Sequence, residues 1–195
     1  MIDNTVVFGS TTITIEDIEN LAFGKCTARL SDDPSFLQRM RAGTDFLDAL
    51  LKEDGVIYGV TTGYGDSCTV MIPPNLVAEL PLHLSRFHGC GMGATLSPIQ
   101  ARAVLATRLA SLARGYSGVT VELLEQILRF LELNICPVIP QEGSVGASGD
   151  LTPLSYVAAT LMGERDVFFN GEQQAAAHVL EQLDIAPIAL RPKEG

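Results

Sequence analysis

Three consecutive residues of this 195-residue chain, Ala147, Ser148 and Gly149, are of types that can convert themselves into an electrophile. If the amide nitrogen of Gly149 attacks the carbonyl carbon of Ala147, a five-membered ring closes. Loss of one water from the former carbonyl and of a second as the Ser148 hydroxyl leaves gives a methylidene-imidazolone. Glycine is needed at the third position because the backbone there must enter regions that are closed to other residues.

The residues around this tripeptide bear on the same chemistry. Segment 143–153 reads Gly-Ser-Val-Gly-Ala-Ser-Gly-Asp-Leu-Thr-Pro, so two further glycines allow a tight approach and Asp150 is placed to orient a proton or a water. A helix is predicted over 151–164, with Pro153 in its first turn, and its positive end faces the tripeptide. A Gly- and Ser-rich turn before a helix is also commonly a plain loop or an anion cradle. The spacing does exclude a Walker phosphate loop and a Gly-x-Ser-x-Gly nucleophile turn at Ser148.

The elements that must position this segment are predicted to be mainly helical, with small β elements. Apolar periodicity and capping residues predict helices over 15–21, 34–50, 75–87, 98–113, 120–131 and 173–183. Short strands are predicted within 5–15 and at 166–171. The glycine-rich stretch 55–74 is predicted to be a loop, and a loop of that length inside a compact domain is more often functional than idle.

The composition describes an ordinary globular protein and limits its partners. A net charge of −10 argues against a nucleic-acid or anionic-membrane partner, and no segment has the form of a signal peptide or a membrane span. The four cysteines lack ligand spacing, so we expect reduced, mostly buried thiols in a cytoplasmic protein and no metal site. Arg102 and Arg108 are expected on the solvated face of their helix.

Three further segments carry recognisable patterns. Residues 58–65 read Tyr-Gly-Val-Thr-Thr-Gly-Tyr-Gly, residues 86–93 Arg-Phe-His-Gly-Cys-Gly-Met-Gly, and residues 114–118 Arg-Gly-Tyr-Ser-Gly. Together with 143–153 they resemble, in order, the motifs of the aromatic amino acid ammonia-lyase family, which includes histidine, phenylalanine and tyrosine ammonia-lyases and related aminomutases. The chain departs from the family's Tyr-Gly-x-Asn-Thr-Gly-Phe-Gly loop at Thr61 and Tyr64.

This resemblance implies a fold, an assembly and a prosthetic group. Residues 1–195 would form the N-terminal, electrophile-bearing domain of the fumarase/aspartase-like helical fold, with the C-terminal helical bundle absent from the chain. Family members are tetramers whose subunits share active sites, and their electrophile forms from the residues that match Ala147, Ser148 and Gly149, with no external cofactor. Because later helices supply substrate contacts in the family, this chain alone is expected to have little or no activity.

The resemblance also implies roles for individual side chains. Tyr58 matches the loop tyrosine that removes the substrate's β-proton, a task for which a phenol of pKa about 10 needs help from donors or positive charge. Phe87 and His88 match the pair that faces the substrate side chain, where histidine enzymes typically carry Ser-His, many tyrosine enzymes His-Leu and phenylalanine enzymes often Phe-Leu. Gly65, in the Tyr58 loop, is expected on the substrate side.

The implied reaction is the non-oxidative elimination of ammonia from an amino acid. The substrate's amine, or in a rival scheme its aromatic ring, adds to the methylidene; Tyr58 takes the β-proton and an α,β-unsaturated acid is released. We expect tyrosine or histidine as the small-molecule substrate, with a slight preference for tyrosine because Phe87 and Tyr64 add aromatic character. An aminomutase that returns a β-amino acid, and an inactive fragment acting as a folding or interaction module, remain alternatives.

Overall fold

The computed structural model describes residues 5–53, 55–143 and 148–194. The helices in these ranges are α1 (Ile15–Ala22), α2 (Pro34–Lys52), α3 (Pro74–Val77), α4 (Leu80–His88), α5 (Pro98–Leu112), α6 (Val121–Glu132), α7 (Leu151–Leu161) and α8 (Ala176–Gln182). The strands are β1 (Thr5–Phe8), β2 (Thr27–Leu30), β3 (Met92–Thr95), β4 (Cys136–Pro137), β5 (Pro140–Glu142), β6 (Asp166–Phe169) and β7 (Glu172–Ala175). The prediction of a mainly helical fold with small β elements is confirmed.

The strands form three small sheets at the edges of the helical body. Strand β1 pairs in parallel with β2, β3 pairs antiparallel with β5, and β4, β6 and β7 form an antiparallel sheet. Strands β2 and β3 were not predicted from the sequence. Strand β3 is ordered by β5, which comes much later in the chain, so no local pattern marks it.

The last helix begins later than predicted. Residues 173–175 belong to β7, because Asn170 and Gly171 form a two-residue turn with φ of 51° and 83° that folds β7 back onto β6. Positive φ at both central residues is the signature of the turn that best matches the twist of a hairpin. The helix α8 therefore starts only at Ala176.

The core lies where α5 and α6 pack against each other and against α1, β1 and α2. Leu105 and Leu109 of α5 and Leu124 and Phe130 of α6 are fully buried, and Phe36 of α2 joins the same cluster. Local signals begin two of these helices as predicted: Ser97 and Gln100 form a capping box before α5, and the Thr120 hydroxyl caps α6. These helices support α4 and α7, which carry the site.

Arg102 lies in this interior and not on a solvated face, so that prediction was wrong. Its guanidinium donates to the carbonyl oxygens of Leu21 (2.6 Å) and Ala22 (3.1 Å) at the end of α1, and of Leu131 (2.6 Å) in the last turn of α6. It also contacts the Asn134 side chain. The last carbonyls of a helix lack intrahelical partners and carry partial negative charge, so a cation between two helix ends is stabilised.

The cysteines also differ in part from expectation. Cys136 is buried and Cys26 is partly buried, but Cys68 and Cys90 are exposed, and all four are free thiols. Cys68 lies in a short 3-10 helix before α3, Gly65–Thr69, that has no buried residues, and Cys90 follows α4, so neither is carried into the core. Across the described parts of the chain, the helices are either too short or too polar for a membrane span.

Candidate active site

Four aromatic rings form a continuous row between the loop after α2 and the end of α4. The ring centroids of Tyr58 and Tyr64 are 5.8 Å apart, those of Tyr64 and His88 6.2 Å, and those of His88 and Phe87 5.4 Å. All three pairs meet edge to face, an arrangement that aromatic rings prefer. The structure thus brings together Tyr58 and the two residues Phe87 and His88, which we call the selector pair.

Tyr58 is partly open to solvent and has a backbone donor at its phenol oxygen. Its side chain is 55% exposed, and its Oη accepts a hydrogen bond of 2.9 Å from the Gly65 amide. Gly65 has a φ of 55°, a conformation in the left-handed region that favours glycine. Gly65, predicted on the substrate side of the loop, therefore contacts Tyr58 itself.

Tyr64 closes the turn that carries Tyr58, a role that the sequence analysis did not assign. Its hydroxyl donates to the Gly59 carbonyl oxygen over 2.7 Å. Burial, with a smaller contribution from Tyr58, raises the pKa of Tyr64 to about 12, so its hydroxyl remains a donor at neutral pH. A Cβ at Gly59 would stand 2.6 Å from the Tyr64 ring, which therefore packs directly against the turn. The one sequence signal was that a tyrosine replaces the family's phenylalanine.

Two threonine side chains form hydrogen bonds to the backbone of this turn. The Thr61 hydroxyl accepts from the Ile57 amide (2.8 Å) and donates to the Gly55 carbonyl oxygen (3.1 Å). The Thr62 hydroxyl, which is buried, accepts from the Gly59 amide (3.2 Å). Thr61 thus supplies local hydrogen bonds at the position where the family motif has asparagine.

The selector pair has one exposed and one partly buried member. Phe87 is 78% exposed and presents its ring outward at the end of α4. His88 lies partly buried beside the cavity described below, and burial lowers the pKa of its imidazole below the ordinary value of 6.5. The pair therefore offers an apolar surface next to a neutral imidazole at neutral pH.

The structure describes two residues of the tripeptide, since Ala147 lies outside the described residues. Ser148 is exposed, and Gly149 has a φ of 73°, with no atom of the described residues within 4 Å of the place a Cβ would occupy. Asp150 directly precedes α7, and among the described residues its carboxylate makes no capping hydrogen bond to that helix. Gly149 thus has a left-handed backbone conformation and lies next to the positive end of α7.

A cavity of about 130 Å³ connects the aromatic row to the start of α7. Its lining includes Tyr64 and His88 of the row, Asp150 and Leu151 at the start of α7, and Arg108 of α5. Arg108 is partly buried and not on a solvated face, which corrects the prediction; burial lowers its pKa, and the Asp150 charge opposes that shift. Helical periodicity gave no sign that this arginine turns inward.

We find no candidate metal site among the described residues. Within 5–53, 55–143 and 148–194, His, Cys, Asp and Glu side chains nowhere gather in a group of three or more that could hold a metal ion.

Comparison with known proteins decides the family. A sequence model of the aromatic amino acid lyases matches residues 13–195. The chain belongs to the aromatic amino acid lyase family. The resemblance inferred from the four motifs is thereby confirmed.

Individual aromatic amino acid lyases match almost the whole chain. Histidine ammonia-lyase of Homo sapiens is 40% identical over 184 residues, which are 94% of this chain and 28% of that protein. Histidine ammonia-lyase of Staphylococcus aureus (strain JH9) is 38% identical over 191 residues, which are 98% of this chain and 38% of that protein. The solved structure of a tyrosine aminomutase from Streptomyces globisporus superimposes with a TM-score of 0.89 at 34% identity, covering 97% of this chain and 35% of that one. The chain spans well under half the length of these relatives.

One property of the candidate site can be measured on the 195-residue chain itself. Because burial lowers the pKa of His88, the folded state resists its protonation, and that contribution to stability is present above pH 6.5 and lost as the pH falls. We expect the His88 ring to titrate with a midpoint below 6.5 in a nuclear magnetic resonance titration. The chain has three histidines, so His88→Asn assigns the signal. A midpoint at or above 6.5 would contradict the buried position of this ring.

Proposed function

We propose that this chain carries the electrophile and the base of an ammonia-lyase site, which eliminates ammonia from tyrosine or histidine to give the α,β-unsaturated acid. The observation that carries the proposal is the row of rings from Tyr58 to the selector pair. In this row Tyr64 links Tyr58, whose phenol oxygen has an N–H donor, to two side chains that would suit an aromatic substrate. A cavity lined by Tyr64 and His88 is also lined by Asp150, the residue after Gly149, which supports a site shared with the proposed electrophile.

The proposed electrophile is a methylidene-imidazolone made from Ala147, Ser148 and Gly149, with no external cofactor. In its formation the Gly149 nitrogen bonds to the Ala147 carbonyl carbon, that oxygen leaves as water, and the Ser148 hydroxyl leaves as a second water. The left-handed conformation of Gly149 and the exposure of Ser148 support this step. Once formed, the group supplies an electron-poor carbon that makes the substrate's amine a better leaving group.

The chain's own residues then have separate tasks. Tyr58, as phenolate, takes the proton from the substrate's Cβ onto its Oη, and the Gly65 N–H stabilises the negative charge before the transfer. The Tyr64 hydroxyl holds the Gly59 carbonyl and so keeps Tyr58 above the site. Phe87 provides an apolar surface for the ring of the substrate. The neutral His88 imidazole forms a hydrogen bond with the polar group of the substrate's side chain.

Different observations support histidine and tyrosine as the substrate. The two histidine ammonia-lyases quoted above favour histidine. The exposed Phe87 ring next to His88 favours a phenol-bearing side chain, because it adds apolar surface at the position where the family's histidine enzymes typically carry serine. The fold match to a tyrosine aminomutase supports a second candidate reaction, in which the amine returns to Cβ.

Assembly is part of the proposal. Several large apolar side chains around the site are exposed: Val56, Tyr58, Met71, Phe87, Met92 and Leu151. Exposed apolar patches on the surface of a monomer mark sites at which another protein surface binds. We therefore propose that further chain and neighbouring subunits cover this face, as in the tetramer that the family implies, and that the complete enzyme is cytoplasmic.

The test separates ring formation from turnover. The intact mass of the 195-residue chain should be lower than its sequence mass by two waters. The full-length protein that contains these residues should then convert tyrosine or histidine to a conjugated acid, seen by its absorbance, or to a β-amino acid, seen by chromatography. An unshifted mass in both proteins would overturn the electrophile. A shifted mass without reaction of either amino acid would overturn the lyase and the aminomutase and favour an interaction module.

A further inference from the structure

The residue before the selector pair is held by a carboxylate that follows α7. The Nε of Arg86 donates to both carboxylate oxygens of Glu164, over 3.1 and 3.2 Å, and its Nη2 contacts the first of them. Two parallel contacts between a guanidinium and a carboxylate fix orientation as well as distance. The end of α4 is thus tied to the turn after α7 directly before Phe87.

The residues after the selector pair are held by the side chains of Arg165 and Tyr156. The Nη2 of Arg165 donates to the Gly89 carbonyl oxygen over 2.8 Å, and the Arg165 guanidinium carbon lies 4.4 Å from the centroid of the Tyr156 ring. The Tyr156 hydroxyl accepts a hydrogen bond of 3.1 Å from the Gly91 amide. Tyr156 lies in α7 and is buried, so these contacts come from a rigid part of the molecule.

Gly89 and Arg165 pack closely against each other, and Arg165 has an uncommon backbone conformation. A Cβ at Gly89 would lie 2.0 Å from the Arg165 guanidinium, so the two segments pack without spare room. Arg165 itself has a φ of 60°, a conformation that residues other than glycine seldom adopt. Such a conformation persists only where the surrounding contacts hold it, and here they include the Gly89 carbonyl and the Tyr156 ring.

We propose that Tyr156, Glu164 and Arg165 are positioning residues for the selector pair. Together with Arg86 we call them the α7 anchor. They hold the backbone on both sides of Phe87 and His88, while the other end of the same helix follows the proposed electrophile. One helix thereby sets where the substrate's side chain sits relative to the reacting carbon. The role in selectivity rests on the proposed function, but the role in holding residues 87–91 does not.

The anchor is expected to affect selectivity more than the electrophile. Its contacts end on the Arg86 side chain and on the backbone of Gly89 and Gly91, and so lie on both sides of the pair and away from the proposed electrophile in the chain. If the anchor is loosened, Phe87 and His88 should occupy a wider range of positions. Discrimination between imidazole and phenol side chains depends on a fixed partner, because a site built to hydrogen-bond one group rejects another by leaving polar atoms unpaired.

The test uses two anchor variants and a matched control. Arg165→Lys keeps the charge but loses the planar stack on Tyr156, and Tyr156→Phe keeps the ring but leaves the Gly91 amide without its acceptor. The control is Arg39→Lys. Arg39 makes the same kinds of contact far from the pair, since it donates to the carbonyl oxygens of Gly9 (3.0 Å) and Arg114 (3.1 Å) and stacks on Phe36.

The first measurement is amide hydrogen exchange of the 195-residue chain, followed by mass spectrometry. Both anchor variants should speed exchange in residues 87–92 by about tenfold, the change expected when a contact that limits local opening is lost. Arg39→Lys should leave that segment unchanged. The second measurement is the ratio of kcat/KM for histidine and tyrosine in the full-length enzyme. It should shift by about tenfold in the anchor variants, mostly through KM, and stay constant in the control.

Three results would overturn the inference. Unchanged exchange rates at 87–92 in the anchor variants would show that the anchor does not hold the pair. An equally faster exchange of this segment in Arg39→Lys would show that the anchor affects only the overall stability of the fold. Faster exchange with an unchanged substrate ratio would remove its part in selectivity. If the unmodified protein acts on neither amino acid, the proposed function fails, and the exchange result alone then supports or overturns the anchoring of residues 87–91.

Discussion

Ser148→Ala is expected to prevent ring formation and to lower turnover in the full-length enzyme by about a thousandfold or more, because alanine has no β-hydroxyl that can leave. Ser148 is exposed, so the fold should persist. Intact mass spectrometry gives the first readout, since the parent should lack two waters and the variant should not. Steady-state ammonia release from the full-length enzyme gives the second.

The control for this substitution is Ser111→Ala, which removes an exposed serine from α5. It should retain the mass shift and the activity of the parent. If Ser148→Ala still lost two waters, the electrophile would have to come from other residues. If it retained turnover within about tenfold of the parent, the reaction would not depend on this electrophile.

Tyr58→Phe should leave the ring in place and lower turnover by about a hundredfold to ten-thousandfold, the range that general acid or base catalysis contributes. The variant loses only the oxygen that accepts the Gly65 amide. Because the side chain is 55% exposed, stability should change little. The mass shift of two waters should be the same as in the parent, and kcat should carry the loss.

Tyr116→Phe is the matched control for the base. Tyr116 is 84% exposed in the turn between α5 and α6, where its ring meets the Arg114 guanidinium. Removing its hydroxyl should change neither the loss of two waters relative to the sequence mass nor kcat. Activity of Tyr58→Phe within a few fold of the parent would assign the base to another residue. The two substitutions Ser148→Ala and Tyr58→Phe together separate the electrophile from the base, because only Ser148→Ala should abolish the loss of two waters.

The difference between Tyr58 and Tyr64 shows how sequence and structure contributed to the site. The motif alone indicated Tyr58 as the base, since its position in the loop matches the family. Tyr64 was noted as a departure from the motif, and its bond to the Gly59 carbonyl and its contacts with two rings emerged only in three dimensions. A turn brings together groups whose neighbours in the sequence give no sign of the contact.

The sequence by itself determined most of the helices, the family and the candidate chemistry, although the helix predicted over 75–87 is in fact two helices, α3 and α4. Capping residues and apolar spacing act within a few residues, so Asp33 and Pro34 predicted the start of α2, and Thr120 that of α6. The motifs likewise carry their chemistry in residue types that stand next to each other, as in Ser148 and Gly149. Local interactions of this kind need no knowledge of the fold.

Only the tertiary structure decided which distant residues meet. Arg86 pairs with Glu164 across 78 positions of the chain, and Arg102 bonds to Leu21 across 81. Strand β3 likewise exists because β5 pairs with it. Each of these contacts depends on how whole helices and strands pack, and a charged side chain looks the same in the sequence whether it faces solvent or another helix end. The packing of α4 on α7 therefore placed the selector pair, although its two residues could be named from the sequence.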